Sequence, residues 1–362
     1  MSKLPSYLSS MLKMERVAVA KEFSNKQKQV RSTGSVSFDW AVGGGIPVGE
    51  LVMLWGSPGS GKSLMALKLL AQEQRMNPTK YGIFIDTEYA FNPERAASLG
   101  VDLDRLVVIQ SNTFEGAIKP LAKAEEEIKK NKDCCAIVLD SVKALTALGE
   151  QGAMEEGDVS GAANGYGGIS KSINPALNVL NRIANECEVL VVLTNHAMAN
   201  LDTRMAKYYP WVLTGGQRLK HLCSTIIFLE KATGMKDKLV SESKDGQGKN
   251  IAVGSKVRCK VNKTRLTVEG KAAEFWLNME SGELANQYEE LVELALNLGV
   301  LHKKETGNTI YFGPEELGIK AGNMSKFVDL VKMDENLYAK IKQEVFTSKN
   351  MGIAMNADIY EG

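Results

Sequence analysis

The chain has 362 residues, of which 44% are hydrophobic, enough to fill a sizeable core in one large domain or in a core with smaller modules. Its formal net charge of +1 excludes a bulk positive field, so any contact with nucleic acid must come from a local patch. The five cysteines (Cys134, Cys135, Cys187, Cys223 and Cys259) have no C-x-x-C spacing, and there are only three histidines; buried reduced thiols are expected, not disulfides or a zinc site. No run approaches ~18 uninterrupted apolar residues and the N-terminus has no signal-peptide apolar region, so the expectation is a cytoplasmic protein with no membrane partner.

Residues 1–31 carry seven Lys or Arg against two Glu. Leu4, Leu8, Met11 and Leu12 fall at the spacing of a short amphipathic helix. Such an arm either packs on a neighbouring subunit or hangs loosely. Ser32–Gly49 is turn-rich around a short helical piece. An apolar run of strand length, Leu51–Trp55, follows. It leads into Gly56, Ser57, Pro58, Gly59, Ser60, Gly61, Lys62 and Ser63, which fill the pattern G-x-x-x-x-G-K-S, and then into a helical run from Leu64. Strand, glycine-rich turn and helix N-terminus converge backbone N–H groups on one anion-sized space. Lys62 can reach the outer phosphates and the Ser63 hydroxyl can bind Mg²⁺, so this is read as a nucleoside triphosphate site.

Further apolar runs, Tyr81–Asp86, Leu106–Gln110, Ala136–Asp140, Val189–Asn195 and Thr225–Leu229, predict strands. Helices are expected between some of them, at Glu115–Lys130 and Pro175–Glu186. Nearly all-apolar strands alternating with helices imply a mainly parallel sheet covered on both faces, with function at the strands' C-terminal ends. Glu88 follows one such end and can orient or deprotonate an attacking water. Asp140 closes A-I-V-L-D, the pattern of a Mg²⁺-binding Walker B carboxylate. Asn195 and His196 end a third strand, where a polar pair can sense a terminal phosphate; a structural histidine also fits.

Two glycine-rich loops follow strand ends. Gly152–Gly168, which includes Gly165, has six glycines with Glu155, Glu156 and Asp158, so charge alone does not mark it as a DNA contact. Ala197–Gln217 carries Arg204, Lys207, Tyr208, Tyr209 and Trp211, and Arg218 and Lys220 lie just beyond. Cations mixed with aromatic rings suit single-stranded nucleic acid, though an ordinary surface loop has the same composition. Ile251–Glu269 reads as a strand pair, placing Lys263 and Arg265 two apart on one face. That face is either solvated or reaches a neighbouring subunit's nucleotide. From Gly282 the pattern changes to an amphipathic helix at Leu284–Leu298, a hairpin at His302–Phe312 and a mainly helical stretch from Pro314 to Phe346. The expected organisation is an arm (1–31), a core (32–281) and a small C-terminal domain (282–362).

Taken in order, S-T-G-S-V-S-F-D at Ser32–Asp39, the phosphate loop, I-D-T-E-Y-A-F-N-P at Ile85–Pro93, L-D-S-V-K-A-L at Leu139–Leu145, N-H at Asn195–His196 and T-G-G at Thr214–Gly216 resemble the RecA-type recombinases, with similarity to the phage UvsX branch. The resemblance covers roughly residues 30–346. It implies a RecA-type P-loop ATPase core, ATP and Mg²⁺ as cofactors, and a helical filament of subunits on single-stranded DNA. It also implies strand exchange with homologous duplex, and loader and single-strand-binding partners. It gives Lys62 and Ser63 the phosphate and metal roles, Glu88 the water-activating role and Asp140 the Walker B role. Gly152–Gly168 and Ala197–Gly215 take the places of the DNA-contacting loops, and Lys263 that of a lysine reaching the neighbour's ATP. Three departures stand out. His196 lies where bacterial members usually have Gln, Arg95 where an aromatic ring stacks on adenine, and Arg265 in place of a second trans lysine. A hexameric helicase-type motor, a nucleotide-gated scaffold with little turnover and a small-molecule phosphotransferase are the competing readings.

Overall fold

Along Leu51–Gly56 (β3) every residue is buried, because the strand lies in the middle of a sheet with helices on both faces. The structure, a computed structural model, describes residues 29–145, 166–200, 202, 204, 206–207, 210–244, 250–304, 307–313 and 318–347. Two residues, Val30–Arg31 (β1), pair with Ile46–Pro47 (β2) around Val36–Val42 (α1). Lys62–Met76 (α2) leaves the phosphate loop, Tyr81–Asp86 (β4) follows it, and Pro93–Ser98 (α3) leads to Leu106–Gln110 (β5). Then come Phe114–Asn131 (α4), Cys134–Asp140 (β6), Tyr166–Cys187 (α5), Leu190–Ala199 (β7) and Trp211–Leu213 (β8). Gly216–Leu222 (α6) precedes Thr225–Lys231 (β9), Lys238–Lys244 (β10), Asn250–Lys263 (β11), Ala272–Asn278 (β12) and Leu284–Ala285 (β13).

The eleven-stranded sheet runs β13-β12-β11-β9-β3-β7-β6-β4-β5, with β8 on β7 and β10 on β11. From β9 to β5 all pairs are parallel, and the remainder are antiparallel. The pleat sorts side chains between two cores. Val52 and Leu54 of β3 join Met65 and Leu69 of α2 on one face. Leu51, Met53 and Trp55 join Leu121 of α4 and Leu180 of α5 on the other. All five cysteines are buried and unbridged. The fold class is the expected RecA-like one: a large, mainly parallel sheet between helices, with a small antiparallel sheet beyond it.

That smaller part comprises Gln287–Asn297 (α7), Leu301–Lys303 (β14), Ile310–Phe312 (β15), Ile319–Ala321 (β16), Met324–Met333 (α8) and Glu335–Thr347 (α9). Its core, built on Leu291, Phe327, Val331 and Ile341, also takes in Val36 of α1. The junction is polar as well. Glu290 of α7 accepts from the Ser35 hydroxyl at 2.6 Å and from the Ser37 backbone N–H and hydroxyl at 2.7 and 2.5 Å. On the same short helix the buried Asp39 accepts from Thr33 N and Oγ1 at 2.8 and 2.7 Å and from the Ser32 hydroxyl. Sequence patterning overlooked both carboxylates.

Five expectations need correction. Ile251–Glu269 is not a strand pair: a single strand, β11, ends at Lys263, and its partners are β9, β10 and β12. Arg265 lies beyond the strand because Thr264 bends the chain, donating to Val42 O and accepting from Leu266 N. Helix α5 begins at Tyr166, so Pro175 is interior and the end of the Gly152–Gly168 loop is helical. The helix expected from Leu284 begins at Gln287, because Leu284–Ala285 extends the main sheet and Asn286 turns the chain with φ 58°. A third strand, β16, occupies part of the segment expected to be helical from Pro314.

Burial pushes the Asp39 carboxyl up to about 7 from its ordinary 3.8, against the hydrogen bonds from Ser32 and Thr33 and the field of Lys342. Between those two values the folded chain holds a proton that the unfolded chain has released, so this group removes stability as pH rises through that window. Asp39→Asn keeps the shape and cannot ionise. Its urea midpoint is therefore expected to gain on that of the wild type as pH is taken from 4 to 7. A constant difference across the window would show that Asp39 does not carry this proton.

Candidate functional site

The parallel register decides which side chains meet. Gly56 of β3 pairs with His196 of β7 and with Leu229 of β9, and Asp86 of β4 pairs with Asp140 of β6. The phosphate loop, Glu88, Asp140 and His196 therefore leave one edge of the sheet together. Gly56 must be glycine, since a Cβ there would lie 1.9 Å from Leu229 O. Gly61, the N-cap of α2 at φ 90°, has Leu277 Cδ2 2.6 Å from where a Cβ would stand.

Within the loop, the buried Lys62 extends back so that Nζ donates to Gly56 O at 3.1 Å and Ser57 O at 2.8 Å. Burial lowers its pKa, while Asp140 and Glu88 act to raise it. The Ser60 hydroxyl is buried with no partner among the described residues. Asp140 accepts from Thr194 Oγ1, and its carboxyl also hydrogen-bonds Ser63. Burial raises its pKa, those two hydrogen bonds oppose the rise, and Glu88 adds to it. An Asp carboxylate beside a Ser hydroxyl at the start of α2 is the hard-oxygen donor set that Mg²⁺ takes, so the residues present fit that ion. Among the described residues no group of three or more His, Cys, Asp or Glu forms another metal-binding cluster.

Glu88 stands on a loop that Asp86 organises. The buried Asp86 carboxylate accepts from the backbone N–H of Glu88 at 3.2 Å, Ala90 at 3.1 Å and Phe91 at 3.0 Å, and from Gln110 Nε2 at 3.0 Å. Glu88 Oε1 is shared between the Ser141 hydroxyl at 2.5 Å and His196 Nε2 at 2.7 Å. Burial alone would raise its pKa, but the hydrogen bonds from Ser141 and His196 and the charge of Lys62 leave it below the ordinary carboxylate value. Thr87 Oγ1 fixes Ser141 in turn, donating to Ser141 O at 2.8 Å and accepting from Ser141 N at 2.7 Å. Sequence reading missed Asp86, Thr87, Ser141 and Thr194. The one available signal was the run of hydroxyl and carboxylate residues directly after each strand end.

His196 continues into the basic loop expected to contact nucleic acid. Strand β7 is parallel in the main sheet as far as Gly56↔His196, then pairs antiparallel with β8 over Ala197↔Leu213, Met198↔Val212 and Ala199↔Trp211. The fully buried Asn195 accepts from His196 N at 2.9 Å and donates through Nδ2 to Thr214 O at 2.9 Å. Arg204 and Lys207 are exposed at the tip of this hairpin. Trp211, paired with Ala199 at the loop end of the hairpin, is half-buried and donates to Glu230 at 3.4 Å. Arg218 is exposed on α6 and donates to Asn178 Oδ1 at 3.0 Å; Lys220 is half-buried. Tyr208, Tyr209 and Gly165 lie outside the described residues, as does the N-terminal arm to residue 28.

Lys263 and Arg265 are set apart from the strand edge that carries Glu88. Lys263 pairs with Ile226, which pairs with Met53, three residues or about 10 Å back along β3 from Gly56. Its Nζ donates to the backbone oxygens of Lys220, His221 and Cys223. Arg265 lines a cavity of about 140 Å³ with Glu50, Asn181 and His221. Neither can reach the chain's own phosphate loop. Arg95 is exposed on α3 and its guanidinium donates to Met279 O, whose residue also lies beside Gly61.

Residues 11–283 match the RecA N-terminal domain family. The chain is 30% identical over 318 residues to Protein RecA of Chlorobaculum tepidum, covering 88% of this chain and 83% of that one. It is 29% identical over 329 residues to Protein RecA of Chloroflexus aggregans, covering 90% and 85%. Protein RecA of Chloroflexus aurantiacus is 28% identical over 331 residues, with 90% and 85% covered. With the phosphate loop, its acidic partners and the polar link into a basic hairpin on one sheet edge, and with the family match spanning most of its length, the chain belongs to the RecA family.

Proposed function

We propose that this chain is an ATP-dependent homologous recombinase that forms filaments on single-stranded DNA and pairs it with homologous duplex. The observation that carries the reading is the placement of Glu88. Its carboxylate stands beside Lys62 and Asp140 and is held by His196, the residue at which β7 leaves the sheet for the basic hairpin. Nucleotide state at Glu88 thus has a short covalent and hydrogen-bonded route to Arg204 and Lys207. A helicase-type motor or a silent scaffold has no such observation in its favour.

In this reading the phosphate loop binds ATP, and bound Mg²⁺, held by Ser63 and Asp140, supplies charge neutralisation at the outer phosphates. Lys62 contributes a cation at the same place. Glu88, kept ionised by Ser141 and His196, orients the attacking water and accepts its proton. Lys263 and Arg265 face away from their own loop and complete the site of the next subunit. Arg95, its guanidinium fixed by Met279 O, offers a flat cation to the nucleotide base. The hairpin, with Tyr208, Tyr209, Trp211, Arg218 and Lys220, and the segment around Gly165 contact DNA. The arm at 1–31 packs on a neighbour beside the core at 32–281 and the C-terminal domain at 282–362. Placement in a phage-type branch rests on His196 and Arg95 together with identity of about 30% to bacterial relatives. Loader and single-strand-binding partners follow from the same reading. Among the described residues no helix is long and apolar enough to cross a membrane.

Lys62→Ala is expected to abolish ATP binding in calorimetry, and unchanged affinity would remove the central assignment. Glu88→Gln keeps the shape and loses the base: ATP and DNA binding should persist while DNA-stimulated hydrolysis falls by about 10²–10³-fold. The double variant Arg204→Ala, Lys207→Ala should reduce the salt dependence of single-stranded DNA affinity by a slope of about 1.4, two phosphate contacts at ~0.7 each. An unaltered slope would move the DNA contact elsewhere. Strand exchange with homologous duplex tests the whole reading; DNA-stimulated hydrolysis without any exchange would favour the motor. Finally, Lys263→Ala, Arg265→Ala subunits mixed with Lys62→Ala subunits should recover hydrolysis at the mixed interfaces if sites are shared.

A further inference from the structure

Helix α6 has seven residues, and each of its ends is held by one side chain. At the N-terminal end Asn195, next to His196, donates to Thr214 O, fixing the turn through Gly215 (φ 101°) into the helix. At the C-terminal end Lys263 Nζ donates to Lys220 O at 2.7 Å, His221 O at 3.0 Å and Cys223 O at 2.7 Å. Helices end with unsatisfied carbonyls, and a cation placed among them both satisfies and charge-balances that turn.

Lys263 reaches this position because β11 is irregular immediately before it. The pairing with β9 shifts register between Val261↔Ile227 and Lys263↔Ile226, leaving Asn262 as the extra residue. Asn262 Oδ1 accepts from Trp55 Nε1 at 2.9 Å, so the irregularity is anchored to the strand that delivers the phosphate loop. Bulges re-aim side chains, and this one sends Lys263 to α6. An ammonium has three donor hydrogens. All three are engaged by carbonyls, so Lys263 cannot take an anion without releasing α6.

We infer that Lys263 is a two-position staple: it locks the C-terminal turn of α6 in the free subunit and releases it on transferring to the phosphate oxygens of a nucleotide bound in the neighbouring subunit. This rests on the shared-site reading and adds to it a consequence inside the subunit that donates the lysine. Helix α6 then senses its own nucleotide through Asn195 and its neighbour's through Lys263. Because α6 directly follows β8, both inputs arrive at the hairpin that carries Arg204 and Lys207. Burial lowers the Lys263 pKa, followed by the field of Arg265, so the ammonium benefits from an anionic partner.

Hydrogen exchange of the full-length chain, read over residues 216–224, tests this. Free wild-type subunits should protect these amides. Filaments on single-stranded DNA with a non-hydrolysable ATP analogue should exchange them about tenfold faster, the scale set by lost hydrogen bonds to a charged group. Free Lys263→Met, which keeps the apolar stem, should already exchange them at the faster rate while residues 51–56 stay protected. Lys263→Arg, which keeps donors, should restore protection in the free subunit. Wild-type filaments that protect residues 216–224 as well as free subunits do would overturn the staple, even if mixed Lys263→Ala, Arg265→Ala and Lys62→Ala subunits recover hydrolysis and so uphold the shared site. If the mixture recovers nothing although filaments form, the shared-site reading falls and the staple with it.

Discussion

The position of β3 between two parallel neighbours governs the rest of the molecule. A strand flanked by β7 and β9 and covered on both faces has no freedom of register, because a one-residue slip would exchange Val52 and Leu54 with Leu51 and Met53 between two separate cores. That rigidity fixes where Gly56 ends and the phosphate loop begins. It also fixes His196 on one side of Gly56, while Asp140 and Asp86 are matched by the same rule two and three strands away. A site assembled from four strand ends needs no further adjustment to bring its parts together.

The chemistry then depends on how burial is compensated at each charge. Glu88 stands close enough to Asp140 to raise its pKa further, yet the two carboxyls shift in opposite directions. Asp140 is deeply enclosed and its hydrogen bonds do not offset that burial. Glu88 is partly open, and Ser141 and His196 more than offset its burial. A carboxylate held ionised in this way is a weak base and a good acceptor, suited to aligning a water more than to stripping it early. An enclosed carboxyl with a raised pKa gains from a metal cation, which would restore its ionised form.

Much of the sheet was legible because strands buried on both faces read as unbroken apolar runs, as β3 does; β5 lies part-exposed at the sheet edge and was legible from its apolar run all the same. The phosphate loop was legible for a similar reason: close approach at Gly56 and positive φ at Gly61 demand glycine, and that demand shows in the sequence. Arg265 was misplaced because alternation continues past Lys263, while the bend is made by Thr264 bonding to Val42, some 220 residues distant in the chain. Pro175 misled for the opposite reason. Proline favours a first turn, but here the helix extends nine residues further toward the N-terminus. The partners of Glu88 were invisible because Ser141 and Thr87 owe their roles to strand adjacency, which composition does not encode.

The relay between sites uses one of the shortest helices in the core. Seven residues form too few internal hydrogen bonds to stand alone, so α6 depends on what holds it, including the buried Leu219, the Arg218–Asn178 and Asn195–Thr214 bonds and the Lys263 cap. A long helix would average out the loss of one cap. In α6 the same loss is a large fraction of its stability, within the 1–3 kcal/mol over which allosteric coupling typically operates. Marginal stability is therefore the property that lets α6 respond. Its position between β8 and β9 makes that response common to the basic hairpin and to the strand beside the phosphate loop, so neither can change its ties to α6 independently of the other.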